Sequence, residues 1–246
     1  MENRYYKERI VEYTDVDYNA NLGIINMFNY AQDNGTVFFK NLGMDNLVVK
    51  EKYGFAWVVT KVKLINIITP KWRTDLKCEA YITEIGKVRM TIENVFKDAE
   101  DNVCFIVEHE FCLIDINKKS IEKIETVNFP EVELRESIGD YKFDRLKDVK
   151  ISEGDEFITR KVSLSNIDFS KHMNNASYIE FMVDCFDGEF ANQNKIKQID
   201  AQYIKETREK DVLKIYRKDI ENSTHIIMTN DADEVVFKSK IIYENL

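Results

Sequence analysis

The chain has few of the residues that build metal centres and redox sites. Its 246 residues include four cysteines and three histidines, and no histidines are paired at a metal-ligand spacing. Cys78, Cys104, Cys112 and Cys185 lie in apolar stretches without a CxxC pair. We therefore predict that the cysteines are small buried hydrophobes and that the chain binds no metal.

Long apolar runs and an excess of positive charge are also missing. The longest apolar runs, such as residues 55–59, fall far short of the about 20 residues that a membrane-spanning helix needs. Residues 1–9 are charged and lack the apolar core of a signal peptide. The 35 basic and 44 acidic residues give a net charge of −9, which argues against nucleic-acid binding. We expect a cytoplasmic protein with no membrane insertion and no nucleic-acid partner.

What the chain does contain is one pattern that occurs twice. Residues 11–21 align without a gap on residues 162–172, so that Asp17 falls on Asp168. The offset of 151 residues, the distance from Asp17 to Asp168, continues into the segments that follow. An ungapped match of this kind predicts an internal repeat.

Each copy continues with the same order of predicted elements. Apolar residues at spacings of three and four predict a helix over 23–42, with a break near Gly35, and another over 176–186 that ends near Gly188. Alternating apolar and polar residues then predict a meander of strands in each copy, whose single apolar face would wrap the helix. The predicted strands are 57–67, 76–82, 88–94 and 103–113 in the first copy, and 199–203, 212–216, 225–228 and 235–242 in the second.

The repeat divides the chain into two domains and a connector. We predict an N-terminal domain over residues 1–130, a connector over 131–156 and a C-terminal domain over 157–246. The connector is highly charged and is not rich in glycine and serine, which predicts some local structure rather than a flexible tether.

The segment Asp168-Phe-Ser-Lys-His-Met-Asn-Asn-Ala-Ser-Tyr178 resembles a known signature. It is similar to the D-x-N-x-H-x-N-N-x-x-Y pattern of the plant and bacterial acyl-acyl-carrier-protein thioesterases, and residues 15–22, 28–33 and 57–64 resemble the same family. The resemblance implies an α+β double hotdog, in which two antiparallel sheets each wrap a long helix and join as one continuous sheet. It also implies hydrolysis of acyl-carrier-protein thioesters to free fatty acid and holo carrier protein, in fatty acid biosynthesis.

The same resemblance implies where the chemistry lies. His172 and Asp168 match the histidine and aspartate of the signature, and Tyr203-Ile-Lys-Glu206 matches a Y-x-x-E pattern that carries the family's further acidic residue. Ser170 stands where the family has asparagine, and the resemblance places it among the catalytic residues, although a hydroxyl cannot reproduce the planar pair of hydrogen bonds of an amide. Thr207 stands where many plant members have cysteine, which excludes a cysteine nucleophile at that position.

These residue types suit thioester hydrolysis, which needs an activated water and a stabilised oxyanion. His172 is the natural general base, and Glu206 would share the water or orient the ring. Asp168 would hold the loop through backbone N–H groups. The helix that begins near Asn174 or Asn175 would offer free N–H groups to the oxyanion. The chemistry requires no cofactor and no metal.

Simpler explanations compete with several of these roles. A histidine near a helix start is often only a cap, Asp168 fits a helix-entry cap as well as direct chemistry, and Glu206 lies in a charged stretch that would ordinarily be a solvated turn. His109 and His225 lie in strand patterns, which favours structural roles. We do not expect Ser170 to act as a nucleophile, because no G-x-S-x-G elbow surrounds it.

Differences between the copies and the charge pattern leave further alternatives. The first copy has Asn19 and Asn21 in place of Ser170 and His172, so it lacks a base and its apolar helix suits the acyl chain, as the resemblance implies. An acyl-CoA thioesterase and, because of Ser170, a catalytically silent acyl-binding protein remain alternatives. The tandem arrangement leaves room for a homodimer. Basic residues that would dock an acidic carrier protein, unless they form only a solvated face, are Lys205, Arg208 and Lys210.

Overall fold

The chain folds into two compact units of α+β class, which confirms the predicted class. The computed structural model describes residues 4–139, 143, 146, 149–151 and 155–246. Unit 1 comprises Met1–Lys142 and unit 2 Phe143–Leu246. The elements of unit 1 are β1 (Tyr5–Ile10), α1 (Ile24–Asn41), α2 (Asn46–Tyr53), β2 (Phe55–Asn66), β3 (Asp75–Ile85), β4 (Arg89–Lys97), β5 (Val103–Asp115) and β6 (Ser120–Glu122). Those of unit 2 are β7 (Glu156–Lys161), α3 (Asn175–Val183), α4 (Gly188–Gln193), β8 (Asn194–Tyr203), β9 (Val212–Ile220), β10 (Ser223–Thr229) and β11 (Val235–Asn245).

The two units share one strand order. In unit 1 the order is β1-β3-β4-β5-β2, with the short β6 paired to β5, and in unit 2 it is β7-β9-β10-β11-β8. Every described pair within each unit is antiparallel. Each element of one order therefore has its counterpart in the other, as the repeat in the sequence predicts.

Helix α1 packs against strands β1, β3, β4 and β5 of unit 1. Phe38 and Phe39 are buried on its inner face, where the Phe39 ring stacks on Trp57 at 5.4 Å and meets Phe111 edge-on at 5.2 Å. The helix runs unbroken through Gly35, so the predicted break there is wrong. A glycine inside a helix costs only about 1 kcal/mol, which the burial of large aromatic side chains on the same helix outweighs.

Helix α2 is a short element that the hydrophobic pattern does not reveal. The Asp45 side chain accepts the N–H groups of Leu47 and Val48, at 2.9 and 3.1 Å, and caps the first turn. Gly54 ends the helix in the left-handed conformation, with φ of 72°. Only Val49 is buried, so the helix has almost no apolar periodicity to detect.

In unit 2 the segment that aligns with α1 at the offset of 151 residues holds two short helices instead of one long helix. Helix α3 ends at Val183, and Asp187 then caps α4 by accepting the N–H of Phe190 at 2.8 Å. The predicted helix end near Gly188 is therefore wrong, because Gly188 begins a helix. In α3 the buried residues are Ala176, Ser177, Tyr178, Ile179, Phe181 and Met182.

The connector predicted over 131–156 lies partly outside the described residues. Before residue 140 it lies beside the sheet of unit 1, where the N–H of Arg135 donates to the carbonyl of Ile82 at 3.1 Å. Farther on, the Ser137 hydroxyl and the N–H of Ile138 both donate to the carboxylate of Glu93. The domain boundaries at 130 and 157 stay predictions. None of the described helices is long and apolar enough to cross a membrane.

Candidate active site

His172 lies in a tight loop that closes on itself. Ile167 and Met173 pair as an isolated bridge, and between them the N–H of Asp168 donates to the carbonyl of His172 at 2.9 Å. Lys171 takes a positive φ of 65°, which reverses the chain just before His172. The backbone that carries the imidazole is therefore held at both ends of the loop.

The Asp168 carboxylate supports this loop from inside. Its Oδ1 accepts the N–H of Ser170 at 2.8 Å, while its carbonyl accepts the N–H of Lys171 at 3.0 Å. Among the described residues its carboxylate has no contact with the His172 ring or with Glu206, and the exposed Ser170 hydroxyl has no hydrogen-bond partner. These contacts favour a geometric role for Asp168.

Helix α3 begins directly after the loop, and its two asparagines differ in what they offer. The Asn174 side chain caps the helix by accepting the N–H of Ala176 at 2.8 Å, and the Asn174 N–H donates to the carbonyl of Asn166 at 2.8 Å. Asn174 therefore cannot give a backbone N–H to an oxyanion, contrary to expectation, and only its side-chain NH₂ remains. The N–H of Asn175 has no acceptor within the part of the chain that the structure describes.

Glu206 lies opposite His172, on the segment that follows β8. Its Oε2 is 3.2 Å from Nε2 of His172, and both side chains are partly accessible, at 40% and 31% exposure. Arg208 Nη2 is 3.7 Å from the same carboxylate oxygen. The structure thus brings together the predicted base and the predicted acidic residue, which are far apart in the chain.

Three hydrogen bonds join the segment around Glu206 to the His172 side of the site. The N–H of Met173 donates to the carbonyl of Thr207 at 2.8 Å. The Tyr178 hydroxyl donates to the carbonyl of Lys205 at 3.5 Å. The Tyr203 hydroxyl donates to the carbonyl of Asn175 at 3.2 Å. Both tyrosines belong to the two sequence patterns of the family, but spacing alone does not reveal which groups their hydroxyls bond.

Asn166 is a further structural residue that the sequence did not single out. It is buried, and its side-chain oxygen accepts the N–H of Ser163 at 3.0 Å. Its carbonyl accepts the N–H of Asn174, and the Ser177 hydroxyl donates to it at 3.4 Å. The signal for it was its place in the repeat, where it falls on Asp15 of the first copy.

The three basic residues proposed for docking are not equivalent. Lys205 pairs with Glu234 at 2.5 Å, and Arg208 lies next to Glu206. Lys210 is exposed, and its side chain has no ion-pair partner among the residues described. Only Lys210 therefore presents its full charge to a partner.

The remaining histidines and cysteines lie away from this chemistry. Burial lowers the pKa of His109 to about 4 and also lowers the pKa of His225, and both lie in strands. All four cysteines are buried and free, and burial raises the pKa of Cys185 to about 12. Such a thiol is a poor nucleophile. Within the described residues, no three or more His, Cys, Asp or Glu side chains are placed to hold a metal.

The first copy reproduces the loop but not the side chains of His172 and Glu206. The N–H of Asp17 donates to the carbonyl of Asn21 at 2.8 Å, and Ala20 takes a φ of 58°, as Lys171 does in unit 2. The N–H of Leu22 donates to the carbonyl of Pro70, as Met173 does to Thr207. Asn21 therefore replaces His172, and Thr69 takes the place of Glu206.

Family models match both halves of the chain. The acyl-ACP thioesterase N-terminal domain matches residues 2–128, and the acyl-ACP thioesterase C-terminal domain matches residues 149–245. Together these matches cover most of the sequence. No curated protein matches this chain.

Solved structures match over nearly the whole chain. The crystal structure of an acyl-ACP thioesterase from Bacteroides thetaiotaomicron has 18% sequence identity and a TM-score of 0.89, with 98% of each chain covered. The 12:0-ACP thioesterase from Umbellularia californica has 14% identity and a TM-score of 0.89, with 100% of this chain and 99% of that chain covered. At such identities the likeness shows the fold, and it confirms the predicted double hotdog.

Proposed function

The chain belongs to the acyl-ACP thioesterase family and hydrolyses acyl-ACP thioesters, and we propose that His172 and Glu206 carry out this hydrolysis. The observation that supports these roles is the 3.2 Å contact between His172 Nε2 and Glu206 Oε2. The contact joins the His172 loop to the segment after β8, and the first copy repeats the backbone of both with Asn21 and Thr69 in the corresponding places. The chain therefore carries an acid–base pair in one copy only.

Glu206 orients the imidazole and sets its tautomer. When the ring donates Nε2–H to the carboxylate, Nδ1 keeps its lone pair and is the acceptor for a water proton. This is the arrangement of a general base backed by a carboxylate, in which the acid stabilises the imidazolium that forms. Both side chains are partly exposed, so water reaches the pair.

The hydrolysis then balances as one addition and one elimination. Water attacks the thioester carbonyl carbon while His172 accepts its proton, and the carbonyl oxygen becomes an oxyanion. Collapse of this intermediate breaks the C–S bond and releases the free fatty acid. The departing thiolate of the carrier takes the proton from the imidazolium and leaves as the thiol. The N–H of Asn175 and the side-chain NH₂ of Asn174 are the donors for the oxyanion, and losing one such donor typically costs about 3–4 kcal/mol of barrier.

A hydrolysis assay tests these roles directly. Purified protein is incubated with acyl carrier proteins that bear a series of chain lengths, and the released thiol and free fatty acid are measured. We expect turnover by the parent chain, its loss in His172→Ala, and no loss in Asn21→Ala, the matched change in the other copy. Turnover that survives in folded His172→Ala would refute the proposed base.

The same assay separates the remaining alternatives. Faster turnover of acyl-CoA than of the matched acyl carrier protein would favour the CoA thioesterase. Tight acyl binding without turnover, with turnover gained in Ser170→Asn, would favour a silent binding protein. The resemblance implies that the acyl chain binds in the interior of unit 1, and this stays a prediction. If it is right, replacing Met27 by a larger side chain should shift the preferred chain length.

Docking of the acidic carrier protein is proposed at the basic residues beside Glu206. Because Lys205 and Arg208 already face acidic side chains, Lys210→Glu is the sharpest test. We expect it to raise KM for acyl carrier protein and to leave KM for acyl-CoA unchanged. Equal KM values in the variant and the parent for the carrier protein would refute docking at this residue.

The cellular setting also belongs to the proposal. A role in fatty acid biosynthesis and a cytoplasmic location fit an enzyme that acts on carrier-bound chains, and cell fractionation tests the location. A homodimer stays a prediction, which light scattering of the purified protein tests.

A further inference from the structure

Glu206 is held through its two neighbours in the chain. The carbonyl of Lys205 accepts the Tyr178 hydroxyl at 3.5 Å, and the carbonyl of Thr207 accepts the N–H of Met173 at 2.8 Å. Both donors follow His172 within the same loop and helix. The backbone on either side of the acidic residue is therefore tied to the part of the chain that carries the base.

Tyr203 connects the same two parts of the site from the strand side. It is the last residue of β8, and its hydroxyl donates to the carbonyl of Asn175, the first residue of α3, at 3.2 Å. The rings of Tyr178 and Tyr203 meet edge to face at 5.6 Å, and each lies 5.4 Å from Phe237. One tyrosine thus extends from the helix to the acidic segment, and the other from the strand to the start of the helix.

Both hydroxyls remain donors over the working pH range. Burial raises the pKa of Tyr178 to about 12 and raises the pKa of Tyr203 further. Neither phenol ionises near neutral pH. Since carbonyl oxygens only accept, each contact requires the O–H that these tyrosines keep.

The first copy shows that the fold does not need these tyrosines. By the repeat, Met27 stands where Tyr178 stands, and Asn66 where Tyr203 stands. The backbone bond from Leu22 to Pro70 is nevertheless kept. The two tyrosines therefore occur only in the copy that has the histidine and the glutamate.

We propose that Tyr178 and Tyr203 are positioning residues that hold Glu206 at hydrogen-bond distance from His172. This inference rests on the proposed function of the pair. An ion pair between side chains this exposed is too weak to fix its own geometry, so the placement has to come from the backbone. Acid–base catalysis is sensitive to that placement, because a displacement of about 1 Å can lower a rate by about a hundredfold.

Removal of single hydroxyls tests the inference. Tyr203→Phe should lower kcat about tenfold with KM unchanged, as expected when a reacting group is misplaced while the substrate still binds normally. Tyr178→Phe should have a smaller effect, about threefold, because its hydrogen bond is longer and weaker. The matched control is Tyr243→Phe, since the Tyr243 ring packs on Phe190 and its hydroxyl has no hydrogen-bond partner among the residues that the structure describes. The control should keep the parent rate.

A double-variant cycle separates positioning from a general structural effect. If Tyr203 acts through Glu206, then Tyr203→Phe should cause no further loss of kcat in a Glu206→Gln background. A structural role would instead lower kcat by the same factor in both backgrounds. An equal loss in both backgrounds, or no loss in the parent, would overturn the inference.

A measurement without turnover distinguishes this inference from the proposed function. With three histidines in the chain, the ¹⁵N side-chain NMR signals of His172 can be assigned, and its Nε2 shift reports the contact with Glu206. We expect the Nε2 chemical shift to change in Tyr203→Phe and to keep its parent value in Tyr243→Phe. An unchanged shift in Tyr203→Phe would refute the positioning role, whereas a parent protein that hydrolyses no thioester would refute the function alone.

Discussion

Replacing Glu206 by glutamine should remove activity and leave the fold nearly untouched. The substitution keeps the size of the side chain and its ability to bond the His172 ring, but it removes the negative charge that lies 3.2 Å from Nε2. The imidazolium that forms when water is deprotonated then loses its partner. A neutral amide is also able to donate to the ring, which would hold the wrong tautomer.

Two magnitudes decide what this variant shows. An ion pair whose side chains are 31% and 40% exposed contributes about 0–1 kcal/mol to folding. Acid–base assistance contributes a factor of about 10²–10⁴ in rate, equivalent to about 3–5 kcal/mol of barrier. The catalytic loss should therefore exceed the loss of folding free energy several times over.

Both quantities can be measured on the same preparation. Thiol release from acyl carrier protein gives kcat/KM, and urea denaturation gives the free energy of unfolding. Glu206→Asp, which keeps the charge but is one methylene too short for the 3.2 Å contact, should fall between the parent and Glu206→Gln. A fall in kcat/KM of less than about threefold in Glu206→Gln, or one matched by an equal loss of unfolding free energy, would refute the proposed role.

The remaining predictions concern unit 1 and the oxyanion. Burial, and then the charge of Glu93, raises the pKa of Glu108 from its ordinary 4.5 to about 8, so the folded chain keeps a proton that the unfolded chain releases. The unfolding free energy should therefore fall between pH 4.5 and 8, by at most about 1.4 kcal/mol per pH unit, and Glu108→Gln should flatten this slope in urea titrations. The side-chain amide of Asn34 is buried, and its one recorded partner among the described residues is the Cys78 thiol, a weak hydrogen-bonding group, so Asn34→Leu should raise the unfolding free energy in urea by about 1–3 kcal/mol. The substitution Asn174→Asp keeps the helix cap but removes the side-chain NH₂. If that NH₂ binds the oxyanion, the substitution should lower kcat by at least tenfold. An unchanged kcat would leave the N–H of Asn175 as the donor.

Strands were predictable from the sequence because apolar and polar residues alternate along much of their length. Along β3 the side chains of Leu76, Cys78, Ala80 and Ile82 are all almost completely buried, and of the residues between them Lys77 and Glu79 are charged, while Tyr81 is buried as well. In a half-buried strand successive side chains face the core and the solvent in turn, so the sequence alternates between apolar and polar residues. The predicted strands accordingly fall on β2 to β5 and on β8 to β11.

Helix ends were less predictable because they depend on caps and packing. The cap signals of α2, Asp45 and Gly54, were present, but its single buried residue left no periodic pattern. At Gly35 the propensity of one residue pointed to a break that the packing of α1 overrides. In unit 2 the helix α3 ends at Val183, before the predicted end, and Asp187 caps a second helix that the apolar spacing did not predict.

The site was only partly predictable, because some of its hydrogen bonds depend on how separate elements pack together. His172 and Glu206 come from short patterns, and their contact was expected from the family likeness. The bond from Tyr203 to Asn175 joins residues 28 positions apart, and it depends on how strand and helix meet. The occupied N–H of Asn174 likewise depends on the carbonyl of Asn166, which no spacing rule identifies.

Comparison of the two copies favours a geometric role for Asp168, one of the two roles that the sequence left open. Asp17 accepts the N–H of Asn19 at 2.9 Å, as Asp168 accepts that of Ser170, and both loops close in the same way. The first copy keeps this aspartate although it has no histidine to assist. Its retention is therefore explained by the turn, which needs an acceptor for the inward N–H groups wherever it occurs. The proposed chemistry then depends on side chains that the turn does not need, because the same loop backbone carries the amide of Asn21 in unit 1 and the imidazole of His172 in unit 2.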